Sequence, residues 1–483
     1  MTGLDRRSFL KCSAAGTLGC IAGAWARSAM AKEEEAPPKK PNFVFFLVDD
    51  LGWRDVGCYG TKFYETPNID RLAREGMRFT DAYAACPVCS PTRASILTGK
   101  YPARLSLTDW IPGQREKNPK LLVPKFNQEL PLEEVTIAEA LKAAGYACAS
   151  IGKWHLGGEP YYPDKQGFDL NVGGTAKGSP PSYFSPYGIP TLADGPKGEY
   201  LTDRLADEAE KFIEQNRDRP FFLYLPHFAV HTPIQGKEEI TAKYARKPPD
   251  GNQKNATYAA MIESVDQSVG RVMKKLDALG LADRTVVFFM SDNGGLAGVT
   301  SNAPLRAGKG TLYEGGVREP LIVKWPGVVR SGTTASTPVT STDFYPTILE
   351  MAGLPLKPEQ HVDGLSLMPL LKESGPLRRD TLYWHYPHYH RTTPAGALRH
   401  GDWKLIEYFE DGRLELYNLR DDLGEQKDLA AAMPEKAREL QKMLADWRTD
   451  VGAQMPTLNP DYKEDPEAGG GPGKSRKTGG ARP

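Results

Sequence analysis

A cysteine stands at the predicted start of a helix. Residues 89–93 read Cys-Ser-Pro-Thr-Arg, and a small hydroxyl residue followed by proline is typical of a helix start, with Ser90 at the N-cap and Pro91 at the first helical position. Cys89 would then lie where unpaired backbone N–H groups and the helix dipole favour an anion. Arg93 follows about one turn later and could add a fixed positive charge. Because a lone cysteine is more often simply buried, its function depends on partners elsewhere in the chain.

Two other stretches carry hard oxygen donors. Asp49 and Asp50 form the first, and Asp292 and Asn293 lie in the second, which reads Ser-Asp-Asn-Gly-Gly at residues 291–295. Carboxylate and amide oxygens suit Ca²⁺ or Mg²⁺, whereas Zn²⁺ prefers nitrogen and sulfur. Either stretch alone would also serve as a turn or a helix cap. If the fold brings both together, they predict a metal site.

Two histidines and two lysines complete the set of chemically capable residues. Lys153 and His155 belong to a Gly-Lys-Trp-His stretch, His231 begins His-Thr-Pro, and Lys309 lies in a glycine-rich stretch at 305–316. The imidazole pKa near neutrality makes histidine a natural proton carrier. A lone histidine in a loop is nevertheless more often a structural hydrogen-bonding group, and a lone loop lysine is more often solvated.

The elements that must position these residues alternate along the chain. Short apolar runs predict buried strands at 43–48, 146–151, 221–225, 285–290 and 321–324, and longer periodic patterns predict helices at 136–144, 201–215 and 256–279. This alternation predicts an α/β fold with a mostly parallel or mixed central sheet covered by helices on both faces. The polar motifs follow the first four strands, at the sheet edge where such folds bind ligands. The sequence therefore predicts one composite site.

The pattern changes after about residue 375. Short strand candidates at 379–385, 397–399, 403–408 and 414–417 are separated by turns and followed by a helical pattern at 434–450. We expect a catalytic domain at 42–374 and a small α+β C-terminal subdomain with an antiparallel sheet at 375–454. The Gly-, Pro- and Lys-rich tail at 455–483 is predicted to be disordered.

The first 31 residues resemble an export signal. Arg6 and Arg7, typical of twin-arginine signals, precede an apolar run at 12–26 and an Ala-Met-Ala cleavage site, and 32–41 reads as a linker. The apolar run is shorter than the roughly 20 residues that span a bilayer, so no transmembrane segment is expected. The sequence therefore predicts that the export machinery recognises this signal and that the protein is located in the periplasm or outside the cell. A lipid anchor on Cys20 is disfavoured because Thr17 and Leu18 fit the lipobox order poorly.

Composition narrows the remaining possibilities. The 61 Lys and Arg residues balance the 61 Asp and Glu residues, so nothing indicates the basic face of a nucleic-acid-binding protein. Without the export signal the chain keeps four cysteines, too few for a disulfide scaffold: Cys58, Cys86, Cys89 and Cys148. If Cys89 is modified, at most one bridge is possible among the other three.

The Cys-x-Pro-x-Arg pattern at 89–93, continuing into Leu-Thr-Gly at 97–99, resembles the signature of the type I, formylglycine-dependent sulfatases of the alkaline phosphatase superfamily. Thr92 stands where that family usually has Ser or Ala. The resemblance extends over residues 42–450 and implies an alkaline-phosphatase-like core with a compact C-terminal subdomain. It further implies that a formylglycine-generating enzyme oxidises Cys89 to 3-oxoalanine, an aldehyde that hydrates to a geminal diol.

The resemblance also implies roles for the motif residues. Ca²⁺ would be bound by Asp49, Asp50, Asp292, Asn293 and an oxygen of the modified Cys89. The sulfate would be gripped by Arg93, Lys153 and Lys309. His231 would protonate the departing alcohol, and His155 would help to draw a proton from the second hydroxyl of the diol, so that sulfate is expelled. Asp49 or Asp292 could also assist deprotonation of the attacking hydroxyl.

The substrate is indicated less directly. His385, His388 and His390 form a polar-aromatic stretch that could contact a sugar, although a solvent-facing edge strand explains it equally well. Further candidates are Trp110, Gln235 and Arg391. Together with export, this favours a sulfated saccharide such as a galactose or N-acetylgalactosamine sulfate. Two alternatives are a phosphomonoesterase, phosphodiesterase or phosphonate hydrolase of the same superfamily, and an inactive exported glycan-binding protein.

Overall fold

The computed structural model describes residues 40–463. Apart from residues 40 and 41, the predicted export signal and linker lie outside the described residues. The strands are β1 Asn42–Val48, β2 Met77–Tyr83, β3 Leu121–Leu122, β4 Ala147–Ile151, β5 Leu170–Val172, β6 Phe221–Pro226, β7 Thr285–Ser291, β8 Arg318–Lys324, β9 Thr333–Ala335, β10 Val339–Thr340, β11 Thr381–Tyr386, β12 Ala395–His400, β13 Trp403–Tyr408, β14 Leu414–Asn418 and β15 Thr457–Leu458. The α-helices are α1 Pro67–Glu75, α2 Cys89–Thr98, α3 Ile137–Ala143, α4 Leu201–Gln215, α5 Glu238–Ala245, α6 Ala256–Ala278, α7 Glu314–Val317, α8 Phe344–Met351, α9 Met368–Leu371 and α10 Pro434–Asp450. Within residues 40–463 no helix is both long and apolar enough to cross a membrane.

Nine strands form a mixed central sheet in the order β10-β2-β8-β7-β1-β6-β4-β5, with β9 beside β2. The five adjacent strands from β7 to β5 are parallel to one another, whereas β8 runs antiparallel to both β7 and β2. The predicted α/β class and mixed sheet are therefore confirmed. All five predicted strands of this sheet and all three predicted helices are present, with ends shifted by at most a few residues.

The central strand β1 explains why the sheet carries helices on both faces. Its side chains alternate between two cores: Val44 and Phe46 pack into one, and Phe43 and Phe45 into the other. Helices α4 and α6 contribute to the first core, and α2, α3 and α8 to the second. Each large apolar side chain buried in this way contributes about 1.5–3 kcal/mol. The carboxyl end of β1 therefore emerges from a rigid base.

A second sheet, of four strands, comes after the central sheet in the sequence. Strands β11 to β14 pair antiparallel in sequence order, as predicted. On one face of this sheet, Leu398 and Leu405 pack against Leu440 of α10. On the other face, Trp384 is buried in a cluster that includes Tyr83 of β2 and Val317 of α7. The Trp384 indole N–H donates to the carbonyl of Ala84 at 2.8 Å. The C-terminal sheet is thus fixed directly to the segment that leads into α2.

The prediction of a disordered tail beyond Met455 is wrong for residues 455–463. Strand β15 pairs antiparallel with β3, and the Asn459 N–H donates to the carbonyl of Lys120 at 3.0 Å. The Asn118 side chain bonds the backbone of Lys463 as donor and as acceptor, at 2.8 and 3.1 Å. These bonds use the backbone of a distant loop, which composition does not reveal. The rest of the predicted tail, 464–483, lies outside the described residues.

Candidate active site

Four neighbouring parallel strands deliver the predicted groups to one sheet edge. Asp49 and Asp50 follow β1, Lys153 and His155 follow β4, His231 follows β6, and Asp292 and Asn293 follow β7. In the sheet order β7-β1-β6-β4 these strand ends are adjacent. The predicted convergence of the motifs is therefore confirmed.

Cys89 is the first residue of α2 and is almost completely buried. The helix begins two residues earlier than predicted, because Val88 rather than Ser90 occupies the N-cap position. The Ser90 hydroxyl instead accepts a hydrogen bond from the Ile111 N–H at 3.2 Å. The helix ends at Thr98 and is capped by Gly99, whose φ of 72° fits the Leu-Thr-Gly end of the motif. Cys89 still lies at a helix N-terminus, as the sequence predicts.

Each buried acid of the site has a cation beside it. Asp292 accepts hydrogen bonds from Arg93 Nε and Nη2 at 2.9 and 2.8 Å through one oxygen. Lys153 Nζ lies 2.6 Å from Asp49 Oδ2. The remaining ion pair joins Lys309 Nζ to Asp50 Oδ1, also at 2.6 Å. All six side chains are buried or nearly so, which strengthens these interactions relative to water.

The same cluster has oxygen atoms without partners. Asp49 Oδ1, Asp50 Oδ2 and Asn293 Oδ1 are buried and accept no hydrogen bond. One ligating atom from each of Asp49, Asp50 and His231 lies within 4.8 Å of the others. Buried acceptors are normally satisfied, and unpaired hard oxygens at one point are what Ca²⁺ or Mg²⁺ binds. The residues present therefore fit a divalent cation.

The charges of the acids agree with this fit. Burial, followed by the charge of Asp292, raises the pKa of Asp49 well above its usual range, against the opposing effect of Lys153. Burial also acts to raise the pKa of Asp50, but the charges of Lys309 and His231 and the hydrogen bonds from Lys309 and Asn293 together outweigh it and hold this pKa below its usual range. A divalent cation would favour the ionised form of both acids. When Asp49, Asp50 and Asp292 are all ionised, their charges are balanced by the three cations paired with them. A divalent cation would then leave the site with two net positive charges, which suits an anionic substrate.

Backbone geometry also marks this edge. Asp50 and His155 have φ values of 62° and 60°, in the left-handed region that residues other than glycine rarely adopt. Such strain is common at functional sites, where the surrounding structure enforces it. At Gly152, φ is 130° and a side chain would collide with the carbonyl of Pro226, which accepts from the Lys153 N–H at 2.7 Å. Glycine is thus required for the turn that presents Lys153.

The two predicted histidines have different surroundings. His155 Nε2 donates to the carbonyl of Ile111 at 2.6 Å, so its Nδ1 is the acceptor that faces Cys89 Sγ at 3.3 Å. His231 Nδ1 donates to the carbonyl of Thr232 at 2.8 Å, and its Nε2 lies 3.7 Å from Asp50. Burial and Lys153 lower the pKa of His155 well below its ordinary value, and burial and Lys309 lower that of His231 to about 3. Both rings are neutral proton acceptors in this state.

A cavity of about 550 Å³ opens onto these groups. Its lining includes Cys89, His155, His231, Asp50 and Lys309. The loop that carries Lys309 is tied to the start of α2, because the Gly310 N–H donates to the carbonyl of Pro87 at 2.9 Å. A nucleophile at position 89 would therefore meet a ligand bound in the cavity, with proton carriers and fixed cations close by.

The predicted sugar-contacting residues separate into two groups. His390, Trp110 and Arg391 line the cavity. His385 and His388 are buried elsewhere: their Nε2 atoms bond the Gln454 carbonyl at 2.9 Å and the Thr108 hydroxyl at 2.8 Å. Of the three histidines predicted to contact a sugar, the structure therefore brings only His390 to the cavity.

Gln235 also has an internal role. Its Oε1 accepts from the Tyr183 N–H at 2.8 Å, and it does not line the cavity. Conversely, the cavity is also lined by Lys177, which could not be predicted from the sequence because its loop has neither a motif nor apolar periodicity. The four cysteines at positions 58, 86, 89 and 148 are all free.

Comparison with known proteins gives matches over most of the chain. A family model described as sulfatase matches residues 41–354, and one described as N-sulphoglucosamine sulphohydrolase, C-terminal, matches residues 308–450. A sulfatase of Formosa agariphila is 38% identical over 489 residues, covering 84% of this chain and 87% of its own length. Human N-acetylgalactosamine-6-sulfatase is 36% identical over 376 residues, covering 72% and 69%.

Solved structures show the same relationship. The crystal structure of Ps i-CgsB, also solved in complex with k-i-k-neocarrahexaose, has a TM-score of 0.73 and 31% identity. The match covers 89% of this chain and 96% of that one. A phosphonate monoester hydrolase of Agrobacterium radiobacter, with a TM-score of 0.64 and 20% identity, shares the fold.

Proposed function

The chain belongs to the sulfatase family and is a sulfuric ester hydrolase, and we propose that it removes sulfate from a saccharide by means of a formylglycine formed at position 89 and a bound Ca²⁺. The observation that carries the proposal is the contact between Cys89 Sγ and His155 Nδ1 at 3.3 Å. It lies in the cavity that Lys309 and His231 also line. A formylglycine-generating enzyme and the export machinery are the proposed partners.

The cofactors would each supply one kind of chemistry. Ca²⁺ would be held by Asp49, Asp50, Asp292 and Asn293, of which Asp49, Asp50 and Asn293 each have an unpaired buried oxygen, and it would supply positive charge for binding the sulfate. The formylglycine would supply a hydroxyl nucleophile attached to the protein. The unpaired buried oxygens described above support the first assignment. The motif at 89–93 and membership of the family support the second.

The cations of this chain would bind and orient the sulfate. Lys309 lines the cavity, while Arg93 and Lys153 lie behind the carboxylates that they pair with. Charge that develops on the sulfate oxygens would be stabilised by these preorganised groups in a site that excludes most water. Because the groups are already in place, little reorganisation is needed when the sulfate group reacts.

The histidines would move protons. His155 Nδ1 faces residue 89 as an acceptor, so it can take a proton from a hydroxyl at that position. His231 would protonate the leaving alkoxide. Burial and Lys309 keep it neutral in the free protein, but an anionic sulfate beside it would raise its pKa and favour the protonated form. Substrate binding would thereby charge the general acid.

A galactose or N-acetylgalactosamine sulfate is the proposed substrate. Two observations support it: N-acetylgalactosamine-6-sulfatases are among the relatives at 36% identity, and Trp110 and His390 line the cavity beside the reacting groups. An aromatic face and an imidazole are suited to stacking on a sugar ring and bonding its hydroxyls.

The test compares two esters, a sulfate and a phosphate, that share the same nitrophenolate leaving group. Protein whose conversion at residue 89 has been verified by peptide mass spectrometry is assayed on nitrophenyl sulfate, nitrophenyl phosphate and a panel of defined sulfated galactosides. We expect sulfate turnover to dominate and one saccharide to be preferred. Phosphate turnover that exceeds sulfate turnover by orders of magnitude would overturn the proposal, and glycan binding without hydrolysis would indicate a binding protein.

A further inference from the structure

Two cations of the cavity have no acidic partner. Lys177 and Arg391 line it and are exposed, and neither forms an ion pair with any residue in the described range 40–463. By contrast, Lys309 is paired with Asp50, the one carboxylate of the lining. The cavity therefore has positive charge beyond what its own acid and the buried ion pairs neutralise.

Lys177 and Arg391 lie in different loops, and each is next in sequence to a residue that packs on a segment of the site. The residue after Lys177, Gly178, packs so closely on the His155 ring that a side chain there would collide with it. Arg391 follows His390, whose ring packs in the same way on Gly310, next to Lys309. Lys177 is thus adjacent in sequence to a residue that packs on His155, and Arg391 to a residue that packs beside Lys309. A ligand seated at Cys89 would extend between these loops.

We propose that Lys177 and Arg391 bind a second anionic group of the saccharide while its scissile sulfate lies at Cys89. This inference rests on the proposed function and narrows the substrate to a saccharide that carries a further sulfate ester or a uronic-acid carboxylate close to the first. Arginine suits either group because its guanidinium can donate two parallel hydrogen bonds, and lysine adds a mobile point charge. A sugar with a single charge would leave both cations unused.

The test uses pairs of saccharides that share the scissile ester and differ in one further charge. One pair is a monosulfated disaccharide and its disulfated counterpart, and the other is a sulfated uronic acid disaccharide and its methyl ester. The kcat/KM ratio within each pair is measured for the wild type, Lys177→Ala, Arg391→Ala and Arg391→Lys. Lys197→Ala removes an exposed charge outside the cavity lining and is the matched control.

We expect the wild type to prefer the more highly charged member of at least one pair by about ten-fold or more, as charge-assisted hydrogen bonds predict. Each alanine variant should reduce that ratio about five-fold, mainly through KM, Arg391→Lys should reduce it less, and Lys197→Ala should leave it unchanged. The responding pair identifies the second anion. A wild-type ratio near one, a ratio unaffected by both alanine variants, or an equal effect of Lys197→Ala would overturn this inference while sulfate hydrolysis stands. Failure of the converted wild type on every sulfate ester would overturn the proposed function as well.

Discussion

Cys89 Sγ and His155 Nδ1 lie 3.3 Å apart, and the opposite nitrogen of the same imidazole is fixed by the Ile111 carbonyl at 2.6 Å. This second bond determines which nitrogen carries the proton and turns the basic one towards residue 89. A nucleophile and a base at hydrogen-bonding distance, with the base oriented by a third group, form the usual arrangement for covalent catalysis. The geometry of residues 89 and 155 is therefore the one that the proposed mechanism requires.

Cys89→Ala is expected to abolish sulfate ester turnover, because no formylglycine can form, while leaving the fold intact. The matched control is Cys148→Ala, which removes a buried thiol from β4 outside the cavity and should retain turnover with a stability loss of about 1 kcal/mol. Steady-state kinetics and circular dichroism check both variants. Full activity in Cys89→Ala would contradict the mechanism.

His231→Ala should discriminate between leaving groups. An alkyl sulfate needs a proton on its departing oxygen, whereas nitrophenolate leaves without one, so we expect a loss of about 10²-fold or more for the former and a much smaller loss for the latter. His400→Ala, on β12 outside the cavity, is the control and should affect neither substrate. Equal losses on both substrates would show that His231 is not the acid.

Metal binding can be measured without any substrate. Ca²⁺ added to chelator-treated protein should raise the free energy of unfolding, by about 2.7 kcal/mol at 100 times its Kd, because only the folded chain assembles the oxygens. Asp50→Asn should lose most of this stabilisation, since Asp50 Oδ2 is one of the unpaired oxygens. Asp283→Asn makes the same chemical change on an exposed turn and should keep it. Identical calcium responses in the two variants would reject the assignment.

The buried side chain of His227 makes the free energy of unfolding depend on pH. It is completely buried, which lowers its pKa to about 4 from an ordinary value of 6.5. Below pH 6.5 the unfolded chain therefore binds a proton that the folded chain does not, and stability is lost as the pH falls towards 4. From pH 7.5 to 5 this amounts to about 2 kcal/mol. Urea denaturation of His227→Gln should show a correspondingly smaller decrease, and an unchanged decrease would contradict this origin.

How much the sequence predicts depends on the kind of signal. The edge that carries Asp49, Lys153 and Asp292 follows from apolar runs that end in polar motifs, because buried parallel strands leave little choice of position. Lys309 follows a less regular segment and was predicted from the resemblance of its flanking residues. The structure places it 2.6 Å from Asp50.

The histidines of the C-terminal sheet show where such reasoning fails. His385 lies in β11 and His388 and His390 just beyond it, and composition does not say which of them faces the cavity. Which histidine faces the cavity is determined by how β11 packs, for example through the hydrogen bond from Trp384 to the carbonyl of Ala84. In the same way, the pairing of β15 with β3 depends on backbone groups that no side-chain pattern marks.

If the nucleophile is a modified Cys89, the activity of a preparation should depend on how much of its residue 89 has been converted. Preparations made with different amounts of a formylglycine-generating enzyme are analysed by peptide mass spectrometry for the converted fraction of residue 89. Their turnover on nitrophenyl sulfate is measured in parallel. We expect turnover to be proportional to the converted fraction of residue 89, which gives a straight line through zero. Substantial turnover by protein with an unmodified thiol would contradict it.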